Sequence, residues 1–186
     1  MHASATGIDG STTPVVNLLF KHILSNISIQ LNKHSDNADD DITVTQVYLL
    51  GLNTIGNYQW KKEGETITSA WTVDYSQTPI NKGNAFNETL TTSYKDFLTD
   101  VLVIPQTVDP ENHPVVLIVV YDFTINKTET IKDNILYANL PATTEWEMGK
   151  KIVYKATVNA KKDIVFNTPA VEGWGTQQIG GTIIIK

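Results

Sequence analysis

The sequence predicts an all-β protein built as an antiparallel β-sandwich. Short segments rich in β-branched and aromatic residues recur along the chain, each bounded by Gly, Pro, Asn or Asp, which is typical of strands joined by turns. The amphipathic helices of about 10–15 residues that βαβ crossovers require are missing. Within residues 27–31 and 153–158 large residues tend to alternate with small or polar ones, as in strands with one buried and one solvated face. Two such sheets must pack face to face.

The candidate strands can be read off in chain order. They are residues 15–20 running into 23–31, then 42–52, 66–74, 86–92, 101–104, 115–125, 128–136, 151–159, 163–166 and 181–185. The apolar run 115–121 predicts a central strand covered on both faces, or an edge that another chain covers. The turn at 159–163 predicts that 151–159 and 163–166 are adjacent and antiparallel. The stretch 93–98 is interpreted as a single turn of helix.

The length of 186 residues fits one large domain. Residues 1–14 are small and polar and predict a flexible leader, so the β-sandwich domain is placed at residues 15–186. No basic segment followed by an apolar one opens the chain, and no run approaches the roughly 18 apolar residues of a membrane span. We therefore expect no transmembrane segment.

Charge and composition exclude several classes of function. The net charge of −6 and the pI near 5.1 disfavour nucleic acid and anionic membranes as partners. Arginine is absent, so bidentate capture of phosphate or carboxylate groups is excluded within this chain. Without cysteine there is no disulfide, thiolate nucleophile or cysteine-ligated metal.

The residue types of catalysis and metal binding are present without the spacing that their chemistry needs. The histidines, at positions 2, 22, 34 and 113, form no i, i+4 pair with an accompanying Glu. The acidic run 36–41 lacks the Gly and the closing Glu of a calcium-binding EF-hand loop. No Gly-x-Ser-x-Gly elbow or phosphate-binding glycine loop is present. We predict no catalytic residue, no cofactor and no metal, and hence a protein that is not an enzyme.

Four tryptophans, Trp60, Trp71, Trp146 and Trp174, each combine a large apolar body with one N–H group that needs a partner. Packing in the core or at a sheet edge is the ordinary role of such residues. An exposed subset would instead stack on carbohydrate or on a partner protein, and the sequence leaves both interpretations open.

Four motifs resemble, in order and spacing, the C-terminal domain of the fimbrillin-like family. They are a Phe-x-His-x-Leu-Ser opening, an Ile-Pro-Gln element, a Trp-x-x-Gly-Lys step into a Tyr-containing strand, and an Ile-x-Phe strand followed by a late Trp. The residues that carry them are Phe20, His22, Pro105, Gln106, Trp146, Gly149, Tyr154, Phe166 and Trp174. The resemblance extends from residue 15 to the end of the chain.

This resemblance implies a transthyretin-like or immunoglobulin-like Greek-key sandwich and a non-enzymatic structural or adhesive subunit of a bacterial surface pilus. Members of the family are two-domain lipoproteins of the outer membrane, so the implied location is the fimbrium at the cell surface. The chain departs from them by lacking a signal peptide, a lipidated cysteine and the N-terminal domain, and we interpret it as a C-terminal half or a shortened gene product. The family's cleavage after arginine cannot occur within this chain.

The resemblance also implies assembly by strand addition, in which one subunit's extended segment completes the sheet of the next. The candidate donor strand is the C-terminal tail, where two glycines precede a β-branched run. Its residues are Ile179, Thr182, Ile183, Ile184 and Ile185. An ordinary last strand of the chain's own sandwich is the alternative. The expected partners are other pilus subunits in a homo- or hetero-polymer, with a host glycan or protein as a candidate ligand. The alternative function is a carbohydrate-binding β-sandwich module on the cell surface.

Overall fold

The computed structural model describes residues 2–4, 19–64, 66–142 and 146–174. Its strands are β1 His2–Ser4, β2 Leu19–Lys21, β3 Ser25–Lys33, β4 Asp41–Leu52, β5 Gly56–Glu63, β6 Thr66–Val73, β7 Ile80–Thr89, β8 Lys95–Val103, β9 Val116–Ile125, β10 Glu129–Asn139, β11 Lys150–Asn159, β12 Asp163–Phe166 and β13 Ala170–Gly173. The helical structure among these residues is one 3-10 turn at Ser35–Asn37.

Two sheets form the body of the protein. The four-stranded sheet has the order β10-β9-β4-β7, with every pair antiparallel. The five-stranded sheet has the order β12-β11-β3-β8, and β13 also pairs with β11. In it β11 and β3 run parallel, which places Tyr154 beside Ile29. The predicted all-β sandwich is confirmed, while the finer Greek-key class stays a prediction.

The core lies between these two sheets and follows the two-residue period of strands. The residues of the four central strands that face it are Ile27, Ile29, Leu31, Ile42, Val44, Val47, Leu49, Leu52, Leu117, Val119, Tyr121, Phe123, Ile152, Tyr154, Ala156 and Val158. In β4 the period changes from even to odd numbers because a bulge at Thr45 interrupts the pairing with β7 and β9. Burying each large apolar side chain contributes about 1.5–3 kcal/mol.

Strand β9 contains the continuous apolar run of the sequence. It lies inside the four-stranded sheet, between β10 and β4, as a central strand. Its odd-numbered residues from Leu117 to Phe123 are buried in the core, whereas residues 116, 118 and 120 on the outer face are half-buried. The central position was predicted correctly. The predicted coverage of both faces is wrong, since the apolar residues on the outer face are only half-buried.

The strand predictions fail where burial does not alternate. Strand β7 begins at Ile80 and not at 86, β8 occupies the stretch interpreted as a helical turn, and β5 and β13 were not predicted. Most side chains of β5 and β7 are exposed, so no hydrophobic period marks either strand. The predicted pairing of β11 with β12 is confirmed.

Two smaller pairings extend beyond the sandwich. Strands β5 and β6 form their own two-stranded sheet, called here the hairpin, paired without interruption from Gly56 and Val73 to Glu63 and Thr66. Strand β1 pairs with β2, so part of the predicted leader is in β-structure, and the boundary at residue 15 stays a prediction. None of the described helical structure is long and apolar enough to cross a membrane.

Candidate assembly site

Trp146 is the centre of a buried polar cluster at one end of the sandwich. Its indole Nε1 donates a hydrogen bond to the Tyr154 hydroxyl at 2.9 Å, and its backbone N donates to the Gln106 carbonyl at 2.9 Å. The Ser25 hydroxyl donates to the Trp146 carbonyl at 2.9 Å. These four residues, Ser25, Gln106, Trp146 and Tyr154, are all buried and are called the polar joint. Burial raises the pKa of Tyr154, so its phenol stays neutral.

Gln106 connects the polar joint to the end of β4. Its Nε2 donates to the carbonyls of Asn53 and Ile104 at 3.0 and 3.2 Å, and its Oε1 accepts from Asn53 Nδ2 at 3.2 Å. Pro105, between Ile104 and Gln106, is buried as well. A buried amide is stable here because both its donor and its acceptor groups are satisfied. The Ile-Pro-Gln element therefore fastens the chain after β8 to the chain after β4.

Gly149 brings together the segments that enter and leave the sandwich. Its φ of +68° is a left-handed conformation that favours glycine. Its backbone N donates to the Leu24 carbonyl at 3.0 Å, and its own carbonyl accepts from the Trp174 backbone N at 2.9 Å. The Trp174 ring stacks on His22 with the ring centroids 3.8 Å apart. The start of β3 and the end of β13 are thus held at the same end of the molecule.

The structure brings most of the sequence-predicted motif residues to this end. His22, Gln106, Trp146, Gly149, Tyr154 and Trp174 are joined by the contacts above, and Phe166 meets the Tyr154 ring edge-on at 6.2 Å. For Phe20 the structure gives the backbone pairing with Ala3. The predicted donor strand, Ile179 and Thr182 to Ile185, lies outside the described residues.

Sequence reasoning did not identify Asn53 or Trp71 as part of this end. The Trp71 Nε1 donates to the Ile23 carbonyl at 2.6 Å and so fastens the hairpin beside the polar joint. Asn53 carried no signal, because one Asn after a strand is what an ordinary turn contains. Trp71 was placed in a predicted strand, but its role was not predictable, because its hydrogen-bond partner is a backbone carbonyl far away in sequence.

The polar groups elsewhere serve structural contacts. His34 Nδ1 accepts from the Asp36 backbone N at 3.1 Å, and His113 stacks on Tyr75 at 3.9 Å. The hydrogen bond from Lys162, with the charge of His34, lowers the pKa of Asp36, and Asp40 accepts from the Asn126 backbone N at 2.9 Å. The acidic run thus braces neighbouring turns. Within the described ranges no three His, Asp or Glu side chains are grouped as a metal site.

A cleft opens along the seam where edge strands β7 and β8 meet. At one end the seam is closed by the Phe86 and Phe97 rings, 5.0 Å apart, and by an ion pair between Glu88 and Lys95. Beyond them lies an opening of about 340 Å³, called the edge cleft. It is lined by Lys82, Gly83, Asn84, Leu98, Thr99, Asp100, Val101 and Leu102. Asn26 Nδ2 donates to Asp100 Oδ1 at 2.8 Å across a bulge in β8.

Strand β8 offers a backbone edge beside this cleft. It pairs with β3 on one side, and among the described strands none pairs with its other side. An unpaired strand edge is a template for a further strand, and an adjoining cleft between sheets can receive that strand's side chains. These are the two geometric features that strand addition requires.

Comparison with family models identifies one family. The family model described as fimbrillin-like matches residues 1–174. A fimbrial protein from Bacteroides vulgatus is structurally similar, with a TM-score of 0.50 and 18% identity over 86% of this chain and 56% of that one. A candidate cell adhesion protein from Bacteroides uniformis matches with a TM-score of 0.36 and 18% identity over 85% of this chain and 53% of that one. The chain spans about half the length of these solved structures. No curated protein matches it significantly.

Proposed function

This chain belongs to the fimbrillin-like family, and from that premise we propose that it is a non-enzymatic structural subunit of a surface pilus that joins its neighbours by β-strand addition. Its proposed location is a fimbrium at the outer membrane, and its proposed partners are other pilus subunits. The fold shared with a fimbrial protein supports the structural role. The contacts of the histidines and acidic residues, which serve turns and ring stacks, support the non-enzymatic one.

The edge cleft is the observation that carries strand addition. It combines an unpaired β8 backbone edge with an opening between the two sheets. Leu102, at its rim, is 49% exposed, and a further strand paired with β8 would lie beside it. The Phe86 and Phe97 contact closes the other end of the seam, so an incoming strand has a defined stop.

The proposed donor is the tail, residues 175–186, which follows Trp174. Glu172, Lys151, Asn26 and Leu102 lie in one row across the five-stranded sheet, so β13 is three strand spacings, about 14 Å, from β8. Twelve extended residues reach about 40 Å. Such a tail is long enough to fill its own edge cleft or that of a neighbour, and the two cases differ in oligomeric state.

Size-exclusion chromatography with light scattering tests the proposal. We expect the intact chain to form oligomers and a chain ending at Gln177 to be a folded monomer. Leu102→Asp should also give a monomer, because a charged side chain on an edge strand disfavours pairing with a further strand. Val165→Asp is the matched control, since Val165 is equally exposed at 49% but lies on β12, at the opposite edge of the sheet.

Two results would contradict donation between subunits. If the shortened chain unfolds while the intact chain is a monomer, the tail is the last strand of its own sandwich. If both chains are folded monomers, or if Leu102→Asp and Val165→Asp change the oligomeric state equally, the edge cleft is not where subunits join.

A further inference from the structure

Strand β10 is an edge of the four-stranded sheet that has little protection against pairing over half of its length. It pairs with β9 on one side, and among the described strands none pairs with its other side. Short length and charged residues normally keep such an edge from accepting a further strand. Of the other edges, β12 has four residues, β7 carries Lys82 and Glu88, and β8 is the edge proposed above for the donor strand. In β10, by contrast, residues 134–139 form an uncharged run without proline.

This run of β10 has an inner and an outer face. Its even-numbered side chains are half-buried beside the core, whereas Ile135 and Tyr137 on the outer face are 60% and 74% exposed. Register places Val120 of β9 opposite Ile135 and Ile118 opposite Tyr137, so both exposed side chains have an apolar neighbour on one side. Beyond the strand edge, none of the described strands supplies a neighbour on the other side. The edge therefore combines an unpaired backbone with two exposed apolar side chains.

Two copies of β10 can pair with each other about a two-fold axis. Antiparallel pairing of identical strands is self-complementary, and two-fold symmetry is the commonest symmetry of soluble oligomers. Outer side chains must meet outer side chains, so the axis passes through a residue position and not between two residues. With the axis at Leu136, Ile135 of one copy lies opposite Tyr137 of the other, and the reverse pair forms as well. Pairs of an aromatic with a β-branched residue stabilise neighbouring strands.

We propose that β10 is a second docking edge, at which a second copy of this chain pairs antiparallel about an axis at Leu136. The four-stranded sheets of the two copies then continue as one eight-stranded sheet. A second copy suits this edge because the paired run is uncharged, so two chains that each carry a net charge of −6 meet where no like-charged side chains oppose each other. A charged peptide gains nothing from this run for the same reason.

Pairing over six residues per copy is a weak contact in isolation. A stable interface takes roughly 20–30 residues a side, so we expect a Kd on the order of 0.1–1 mM, which leaves the dilute chain unpaired at this edge. Strand β10 lies at the opposite edge of its sheet from β7, whose seam with β8 holds the edge cleft, so both contacts can form at once. Repeated in every subunit, the weak contact would add up between two neighbouring pili. That association of pili rests on the proposed function, whereas pairing of two chains does not.

Crosslinking of single-cysteine variants of the full chain tests this pairing, because the sequence contains no cysteine. Ile135→Cys and Tyr137→Cys are mixed and oxidised, and mass spectrometry distinguishes the mixed dimer from the two like dimers. We expect the mixed disulfide to form at least about fivefold faster than either like disulfide, because directly opposite Cβ atoms are about 4.5–5.5 Å apart and diagonal ones about 7–8 Å. Ile55→Cys, mixed with Tyr137→Cys, is the matched control, since Ile55 is 51% exposed but lies in the loop between β4 and β5.

Sedimentation equilibrium measures the strength of the same contact. Leu102→Asp is included in every chain, so that strand addition at β8 does not contribute to the association. Tyr137→Lys should then raise the Kd by about tenfold or more, because a lysine on an edge strand opposes pairing. Ile55→Lys, at the exposed loop position, should leave the Kd unchanged. Circular dichroism checks that the variants are folded, as expected for exposed positions.

Three outcomes would overturn the proposal. The first is a mixed disulfide that forms no faster than the like disulfides or than the Ile55→Cys control, which would mean random collision or a different occupant of the edge. The second is no self-association up to about 1 mM. The third is an equal effect of Tyr137→Lys and Ile55→Lys on the Kd. The disulfide readout depends on neither the tail nor Leu102, so failure of this pairing and failure of strand addition are distinguishable.

Discussion

The polar joint and the β5–β6 hairpin are each built around a tryptophan and place it in opposite surroundings. In the joint, Trp146 is buried, and its N–H, backbone amide and carbonyl all have partners. In the hairpin, Trp60 is 59% exposed on a two-stranded sheet outside the sandwich. The joint fastens chain segments more than 100 residues apart, whereas the hairpin pairs residues that are close in sequence.

This difference bears on the stability of the fold. A buried, fully bonded indole stabilises the fold, because its removal leaves a cavity and unsatisfied groups. An exposed indole contributes little to folding, so Trp60 adds less than Trp146 to the free energy of unfolding. Two isolated strands are at best marginally stable, so the hairpin depends on its base for order, and that base adjoins the joint.

Replacement of the two central tryptophans should show the largest effect. Trp146→Ala should lower the free energy of unfolding by about 3–5 kcal/mol, since it opens a cavity in a buried site. Trp60→Ala should change it by no more than about 0.5 kcal/mol. Urea denaturation followed by circular dichroism measures both. Equal losses would mean that the hairpin is part of the cooperative core.

Tyr154→Phe tests whether the joint depends on its hydrogen bonds as well as on its packing. The change removes the acceptor of the Trp146 indole N–H and should cost about 1–3 kcal/mol. Because burial raises the pKa of Tyr154, the folded protein holds this proton more tightly than the unfolded chain does. Its contribution is therefore present below the unfolded pKa of about 10 and is lost as the pH rises above it.

The alkaline part of the curve provides the check. Stability of the unaltered protein should fall above about pH 10, and Tyr154→Phe should lessen that fall. Unchanged alkaline behaviour in the variant would mean that other groups control it. Tyr137→Phe, at an exposed tyrosine, is the control.

Glycine positions in the two regions allow a smaller, matched test. Gly149 at the joint and Gly64 at the hairpin tip both have positive φ, +68° and +59°. Gly149→Ala should cost about 1–2 kcal/mol of backbone strain, because an alanine at this positive φ is strained. The added Cβ would meet the His22 carbonyl O at 3.4 Å, which is an acceptable contact and adds no clash. Gly64→Ala brings the same strain with nothing within 4 Å, so it should loosen only the hairpin. If both variants lower the free energy of global unfolding equally, the hairpin does not open independently of the sandwich.

The sandwich and most of its strands followed from the sequence because burial alternates along them. Strand β11 and its turn into β12 were predictable from local pattern alone. The hairpin's first strand was not, because most of its side chains are solvated and leave no period to read. Likewise, β8 begins with the polar Lys95 and Asp96, which favoured a turn over a strand.

The candidate site was likewise only partly predictable from the sequence. The motif resemblance identified Trp146, Gly149 and Tyr154, but not that they meet the segment 22–25, since pairing between distant segments is a tertiary property. No local signal distinguishes the buried Trp146 from the exposed Trp60, because both stand beside charged residues in the sequence. Which tryptophan is core and which is surface is decided by tertiary placement, since Trp146 stands in the loop before β11 and is buried in the sandwich, whereas Trp60 lies on the hairpin.

The smallest expected effect is at the point where the two regions touch. Trp71→Phe keeps an aromatic ring beside Tyr58 but removes the N–H that bonds to the Ile23 carbonyl. We expect global stability to fall by less than about 1.5 kcal/mol, while amide exchange in β5 and β6 accelerates by about tenfold because the hairpin opens more often on its own. Hydrogen exchange with mass spectrometry distinguishes local opening of the hairpin from global unfolding. Trp60→Phe, on the same hairpin, should leave that exchange unchanged, and if it accelerates exchange as much as Trp71→Phe does, the hairpin is not held through Ile23.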